Sequence, residues 1–239
     1  MWRRGKFLGL SLGGVGQTPP EAVEDPPAAG TERVIVINPM LSGVLQHCFP
    51  SESMGLRTFL ALTLSDGHEL RYVDPDQMGK VYYATPDQAS SIPRLGKQGP
   101  DVLDDALSYE EFRARLKPYR GEVKGVLTRG WAVSGIGNAY ADEILFAARL
   151  FPVRKVTSLS PQETAALHRA LYDVPRRAVC VLRERVGADV HRKVRDFLEV
   201  HGKGDQPCPL CGTKVTSITA NGFLTNYCRS CQPGSLLRR

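Results

Sequence analysis

Four cysteines toward the C-terminal end carry the most specific chemistry in this 239-residue chain. Cys208, Cys211, Cys228 and Cys231 read C-x2-C-x16-C-x2-C. Two residues between the members of a pair let both thiolates reach one ion. Two such knuckles complete the tetrahedral four-thiolate shell that structural Zn²⁺ prefers, and no coordination position is left open for catalysis. One structural Zn²⁺ is expected, its binding energy standing in for a core that so short a segment cannot build. The other two cysteines, Cys48 and Cys180, stand alone, so the set reads as metal chemistry in a reducing compartment and not as a disulfide framework.

A second set of residues suits anions. In "SGIGNAYADE" (134–143), Gly135 and Gly137 allow backbone geometry that other residues resist, directly before a helical pattern. A helix start exposes free N–H groups and the positive end of the dipole, which together bind phosphate. Asn138 adds a side-chain amide there. Standing alone, the motif is weak, and a tight interhelical turn explains the same residues better.

The elements that must position these groups change character along the chain. "KFLGLSL" reads as a strand, and the Gly- and Pro-rich stretch 13–32 as a loop. "RVIVINPM", "VLQHCF", "LRTFLALTLSDGHELRYVD" and "KVYYAT" are β-branched or aromatic, alternating, and split by turn signals, so the first 85 residues read as mostly β. Residues 91–105 read as a connector. Ser108 with Glu111, and Ser160 with Pro161 and Glu163, are helix starts with capping boxes. "EVKGVLTRG" predicts a short helix ending at Gly130, and Tyr140, Ile144, Leu145 and Ala148 make a helical stripe. Pro175 is expected to interrupt and kink the long helix that begins at Ser160, which then resumes and stops at Gly187. The stretch 108–200 therefore reads as helical, and short strands separate the two cysteine knuckles.

Composition sets the frame. Apolar residues make up 42% and charged residues 23%, ordinary for a folded domain. No stretch is long and apolar enough to span a bilayer, and the opening "MWRRGKFLGL" makes a poor secretory signal. Net charge is +6, unevenly spread: residues 1–107 carry 9 Lys/Arg against 13 Asp/Glu, and residues 108–239 carry 22 against 12. The basic half predicts a polyanionic partner, most simply nucleic acid.

Taken together, "GIGNAYADEILFAARLFP", "VRDFLEVHGKGDQPCPLCG" and the four-cysteine segment resemble the formamidopyrimidine-DNA glycosylase / endonuclease VIII-like family of base-excision repair. The resemblance is close over 108–239 and loose over 1–10 and 33–85. It implies an α+β fold in three parts: an incomplete N-terminal β-sandwich (1–107), a helix–two-turn–helix domain (108–200) and a zinc-ribbon hairpin (201–239), with DNA crossing the cleft between them. The expected partner is double-stranded DNA with a damaged base or an abasic site, bound by a monomer in the bacterial cytoplasm at the nucleoid. In the family, an opening Pro attacks C1′ of the damaged nucleotide as a secondary amine and a neighbouring Glu handles protons, a case of covalent catalysis. "RRGK" here resembles a family strand that lies well inside the usual pattern. The Pro-Glu opening is not seen before it, so no catalytic residue is assigned. The expectation is a gene start called too late, with weak or absent catalysis in the chain as written.

Other family positions carry over singly. Lys6 and Asn138 match phosphate-gripping residues, and Lys124 matches a basic position ahead of the GxGN turn. Leu41 and Met78 take the places of void-filling side chains, which enter a duplex once a base has been flipped out. Asp76 and Gln77 replace the arginines that read the orphaned base, which argues against the family preference for 8-oxoguanine opposite cytosine. Phe223 stands where the hairpin tip carries an Arg, making the tip at Asn221–Leu224 apolar, with Lys214 and Arg229 supplying charge nearby. Two other readings remain: a damaged-DNA-binding module without chemistry, and a zinc ribbon that binds RNA or protein.

Overall fold

The chain opens with a tight hairpin. β1 (Trp2–Arg4) turns at Gly5, whose φ of 60° suits glycine, into β2 (Phe7–Leu12). The sequence showed β2 and not the three-residue β1. β3 (Arg33–Asn38), β4 (Val44–Cys48), β5 (Thr58–Thr63), β6 (Glu69–Val73) and β7 (Lys80–Ala84) follow. They form two antiparallel sheets, ordered β1-β2-β3-β7 and β4-β6-β5. This computed structural model describes residues 1–12, 32–104, 106–187, 189–220 and 222–234. The loop read at 13–32, apart from Glu32, and Asn221 of the hairpin tip lie outside the described residues.

β3 explains why the two sheets stack. Val34 and Val36 pack with Phe7, Ala89, Ile92 and Leu95 on one face, while Ile35 and Ile37 pack with Tyr72, Leu8, Leu10, Leu45, Leu60 and Leu62 on the other. A strand buried on both faces reads as an unbroken apolar run, as "VIVI" does. Each such side chain contributes about 1.5–3 kcal/mol by leaving water. A short helix, α1 (Pro86–Ala89), covers the first face. Its capping box, Thr85 with Gln88, escaped the sequence reading because the helix is a single turn.

The chain divides into two units, Met1–Lys97 and Gln98–Arg239. The connector residues after Lys97 pack with the helical unit: the Gly99 amide donates to Gly130 O at 2.8 Å, and Asp101 bridges to Ser134. That unit contains α2 (Tyr109–Leu116), α3 (Val123–Arg129), α4 (Asn138–Ala147) and α5 (Pro161–Val186). It ends in the antiparallel hairpin β8 (Val215–Ala220) and β9 (Phe223–Cys228). Both sequence-predicted capping boxes are present, and α3 stops at Gly130 in the left-handed conformation, φ 82°.

One expectation is corrected: Pro175 does not interrupt α5, which runs through it as one helix of 26 residues and ends, as expected, at Gly187. Leu171, Tyr172, Val174, Pro175 and Ala178 are all buried along it, and this packing outweighs the hydrogen bond that proline removes. Between Gly187 and Val200 the described residues are turns, bends and irregular chain. The Glu143 carboxylate accepts the amides of Glu199, Val200 and His201 at 2.8, 2.9 and 2.8 Å, so those amides are held by α4 and not by a helix of their own.

Candidate functional site

In the N-terminal unit two exposed apolar tips sit on linked loops. Leu41 is 60% exposed in the β3–β4 loop, and Met78 is 43% exposed in the β6–β7 loop. The buried Asp74 joins these loops. Its Oδ1 accepts from the Ser42 hydroxyl, and its Oδ2 accepts the Gly79 amide at 2.6 Å. Burial works against its charge, but hydrogen bonds from Ser42, the Gly79 and Asp76 amides and Tyr72 outweigh it and hold its pKa below the ordinary carboxylate value. The Tyr72 hydroxyl fills the space beside two glycines: a Cβ at Gly79 would fall 1.8 Å from it, and one at Gly43 2.5 Å. Lys6 lies in the β1–β2 turn; partial burial of its ammonium and the nearby Arg94 guanidinium lower its pKa from the ordinary lysine value. The sequence pointed to Leu41, Met78 and Lys6 but gave no sign of Asp74 or Tyr72.

The helical unit brings Lys124, Asn138 and the finger strand together. No side chain caps α4, whose N-cap is Gly137, so its first turn keeps anion-seeking character. The Asn138 Nδ2 donates to Leu224 O at 2.9 Å, tying the helix start to β9 beside the tip, where Phe223 is 46% and Leu224 51% exposed. Lys124 departs from its expected place at a DNA surface. It is 6% exposed, its Nζ lies 2.6 Å from Asp142 Oδ1, and it donates to Thr225 Oγ1 at 2.7 Å and to Leu224 O at 3.1 Å. Burial lowers its pKa, and Asp142 offsets part of that.

Asp142 and Glu143, the acidic pair of "YADE", turn out to be the joint between helix and finger. Asp142 Oδ2 meets His201 Nδ1 at 2.7 Å and accepts the Asn226 amide at 3.1 Å. Asn226 accepts the Gly202 amide and donates to Ser217. Gln232 closes the far side, donating to Leu150 O at 2.8 Å and accepting from the Cys228 amide at 3.0 Å. An apolar seam of Phe146, Val200, Cys208, Val215 and Cys228 completes the contact. Asp142→Ala should leave the buried Lys124 ammonium without its counter-charge and cost about 3–5 kcal/mol. Replacing Asp142 with Leu and Lys124 with Met together should recover much of the loss. Denaturant midpoints of the three variants check this, and an Asp142→Ala midpoint equal to that of the parent chain would exclude the joint.

The four cysteines converge. Cys208 and Cys231 Sγ lie 3.9 Å apart and Cys211 and Cys228 Sγ 3.4 Å apart, and all four sulfurs lie within 4.8 Å of one another. An ion with metal–sulfur bonds of about 2.3 Å needs tetrahedral edges of roughly 3.8 Å, so the set fits a metal. Hydrogen bonds from Thr213 pull the Cys211 thiol down to about 6, towards the thiolate that binds metal. Among the described residues no helix is long and apolar enough to cross a membrane.

Comparison with known proteins gives the same picture. Residues 98–188 match the family model of the formamidopyrimidine-DNA glycosylase H2TH domain. A formamidopyrimidine-DNA glycosylase of Symbiobacterium thermophilum is 31% identical over 236 residues, covering 97% of this chain and 72% of the relative. One of Deinococcus radiodurans is 32% identical over 244 residues, covering 97% and 80%. The solved structure of Lactococcus lactis Fpg (MutM) in complex with FAPY-dG-containing DNA shares the fold, with a TM-score of 0.78 at 22% identity, over 98% of this chain and 81% of that one. With relatives 31–32% identical that align to 97% of this chain, and the GxGN helix bolted to the four-cysteine hairpin, this chain belongs to the formamidopyrimidine-DNA glycosylase family.

Proposed function

We propose that this chain binds duplex DNA at a damaged or abasic nucleotide, and that Cys208, Cys211, Cys228 and Cys231 hold one structural Zn²⁺. The observation that carries the proposal is the Asn138–Leu224 hydrogen bond, which fixes an uncapped helix start, suited to phosphate, beside the exposed finger tip. The family relationship and the complexes of relatives with lesion-bearing DNA point the same way. In this reading the α4 amides and Lys6 grip phosphate, Leu41 and Met78 fill the space left by the displaced nucleotide, and Phe223 acts as an apolar wedge in place of a cation. Lys124 serves as a positioning residue behind Asn138. The zinc, when bound, supplies no reaction chemistry; it holds the hairpin that presents the tip. The covalent step is assigned to no residue among these 239.

The test is fluorescence anisotropy with the zinc-loaded chain on two duplexes, one intact and one carrying a central tetrahydrofuran abasic analogue. Extruding an abasic nucleotide avoids the unpairing cost of a normal base, so the lesion duplex should bind tighter by about tenfold or more. Equal affinities would remove lesion recognition, and no binding to either would remove the DNA interface.

A further inference from the structure

A second cluster of metal-ligating side chains lies in the N-terminal unit, apart from the groups discussed above. His47 occupies β4, His68 directly precedes β6, and Asp66 sits in the exposed turn between β5 and β6. β4 pairs with β6 so that His47 faces Leu70 and Cys48 faces Glu69, which carries the turn alongside the end of β4. The turn is closed by Leu64 donating to His68 O at 2.8 Å and Gly67 to Leu64 O at 3.1 Å, with Gly67 in the left-handed region at φ 84°. The two imidazoles stack, with centroids 4.6 Å apart and planes 19° from parallel, and Phe49 backs His68 at 4.4 Å. Asp66 Oδ1 accepts the His68 amide at 3.0 Å, and its Oδ2 lies 3.3 Å from His68 Nδ1. That nitrogen is shielded from solvent yet makes no well-directed hydrogen bond. One ligand atom from each of the three residues lies within 4.8 Å of the others.

We propose that His47, Asp66 and His68 form a second metal site, for a divalent transition ion of the Zn²⁺ class. Two imidazoles and a carboxylate are borderline donors that suit Zn²⁺, Ni²⁺ or Cu²⁺, whereas Mg²⁺ and Ca²⁺ seek all-oxygen shells. Bonds of about 2.0–2.1 Å set a ligand–ligand edge of roughly 3.3 Å, which side-chain rotation of these half-buried and exposed groups can reach from the present spacing. Three protein ligands leave a fourth position to water or a further group. The ion would staple β4 to the β5–β6 turn. Thiolate takes no part, so this site differs in ligand chemistry from the four-cysteine set.

The experiment titrates Zn²⁺ into the full chain already holding its first equivalent, by calorimetry, with metal content measured after gel filtration. A second equivalent is expected. His68→Ala and His47→Gln should each abolish it and leave the first equivalent in place. Asp66→Asn, in an exposed turn and least able to disturb the fold, should weaken the second equivalent while circular dichroism stays unchanged. A titration showing one equivalent only, or a second equivalent that survives all three substitutions, would overturn the proposal.

Discussion

Cys228→Ser should abolish the proposed zinc binding and unfold the β8–β9 hairpin, with Cys208→Ser doing the same. Cys228 is fully buried and its sulfur sits 3.4 Å from that of Cys211. A serine there removes one of four thiolates and leaves a polar hydroxyl in the seam with Phe146 and Val215. Structural zinc in comparable four-ligand fingers is worth about 10–16 kcal/mol of apparent binding energy. A whole domain is stable by only about 5–15 kcal/mol, so the hairpin cannot survive the loss of a ligand on its remaining contacts. The damage should stay in the C-terminal unit, because the β-rich unit has cores of its own around Val36 and Ile37. Elemental analysis should show loss of about one zinc per chain from each variant. Amide exchange should show fast exchange across Val215–Cys228 while β3 remains protected. Cys180→Ser, at an exposed position on α5, is the control and should change neither reading. Full metal retention in Cys208→Ser and Cys228→Ser would exclude a four-cysteine site.

Local signals in the sequence translated directly into structure, and long-range ones did not. Ser108 and Ser160 announce their helices because a capping box is complete within four residues. The four cysteines announce their cluster because metal geometry constrains their spacing. Lys124 looked like a free cation because its partners are distant in the chain: Asp142 lies on the next helix and Thr225 on the finger strand. The same holds for Glu143, whose carboxylate captures amides more than fifty residues away. "YADE" could be read as a stretch of helix, but not as the joint that holds the finger, since nothing local requires its two carboxylates to be buried. Asp74 is the parallel case in the N-terminal unit, invisible until the β3–β4 and β6–β7 loops are folded together.

The burial of Lys124 also sharpens what DNA binding should look like as salt is raised. Residues 108–239 carry 22 Lys/Arg against 12 Asp/Glu, enough surplus cation for several phosphate contacts. Each contact releases condensed counterion, so the logarithm of affinity should fall linearly with the logarithm of salt, with a slope of about −0.9 per phosphate. Six or more contacts would lower affinity by about a thousandfold or more between 50 and 200 mM salt. Lys124 should contribute nothing to that slope, because its ammonium is spent on Asp142 and the finger strand. Lys214 and Arg229, exposed beside the cysteine knuckles, are placed to meet a backbone. Lys214→Ala and Arg229→Ala should therefore each reduce the slope by about one. The Lys124→Met, Asp142→Leu pair should preserve it, since the two charges cancel and neither faces solvent. Anisotropy on the tetrahydrofuran duplex at four or more salt concentrations reads all of these slopes. A flat response in the parent chain would remove the electrostatic clamp altogether. A slope that falls in the Lys124/Asp142 double variant and not in the Lys214 and Arg229 variants would return Lys124 to the interface and displace the finger charges from it.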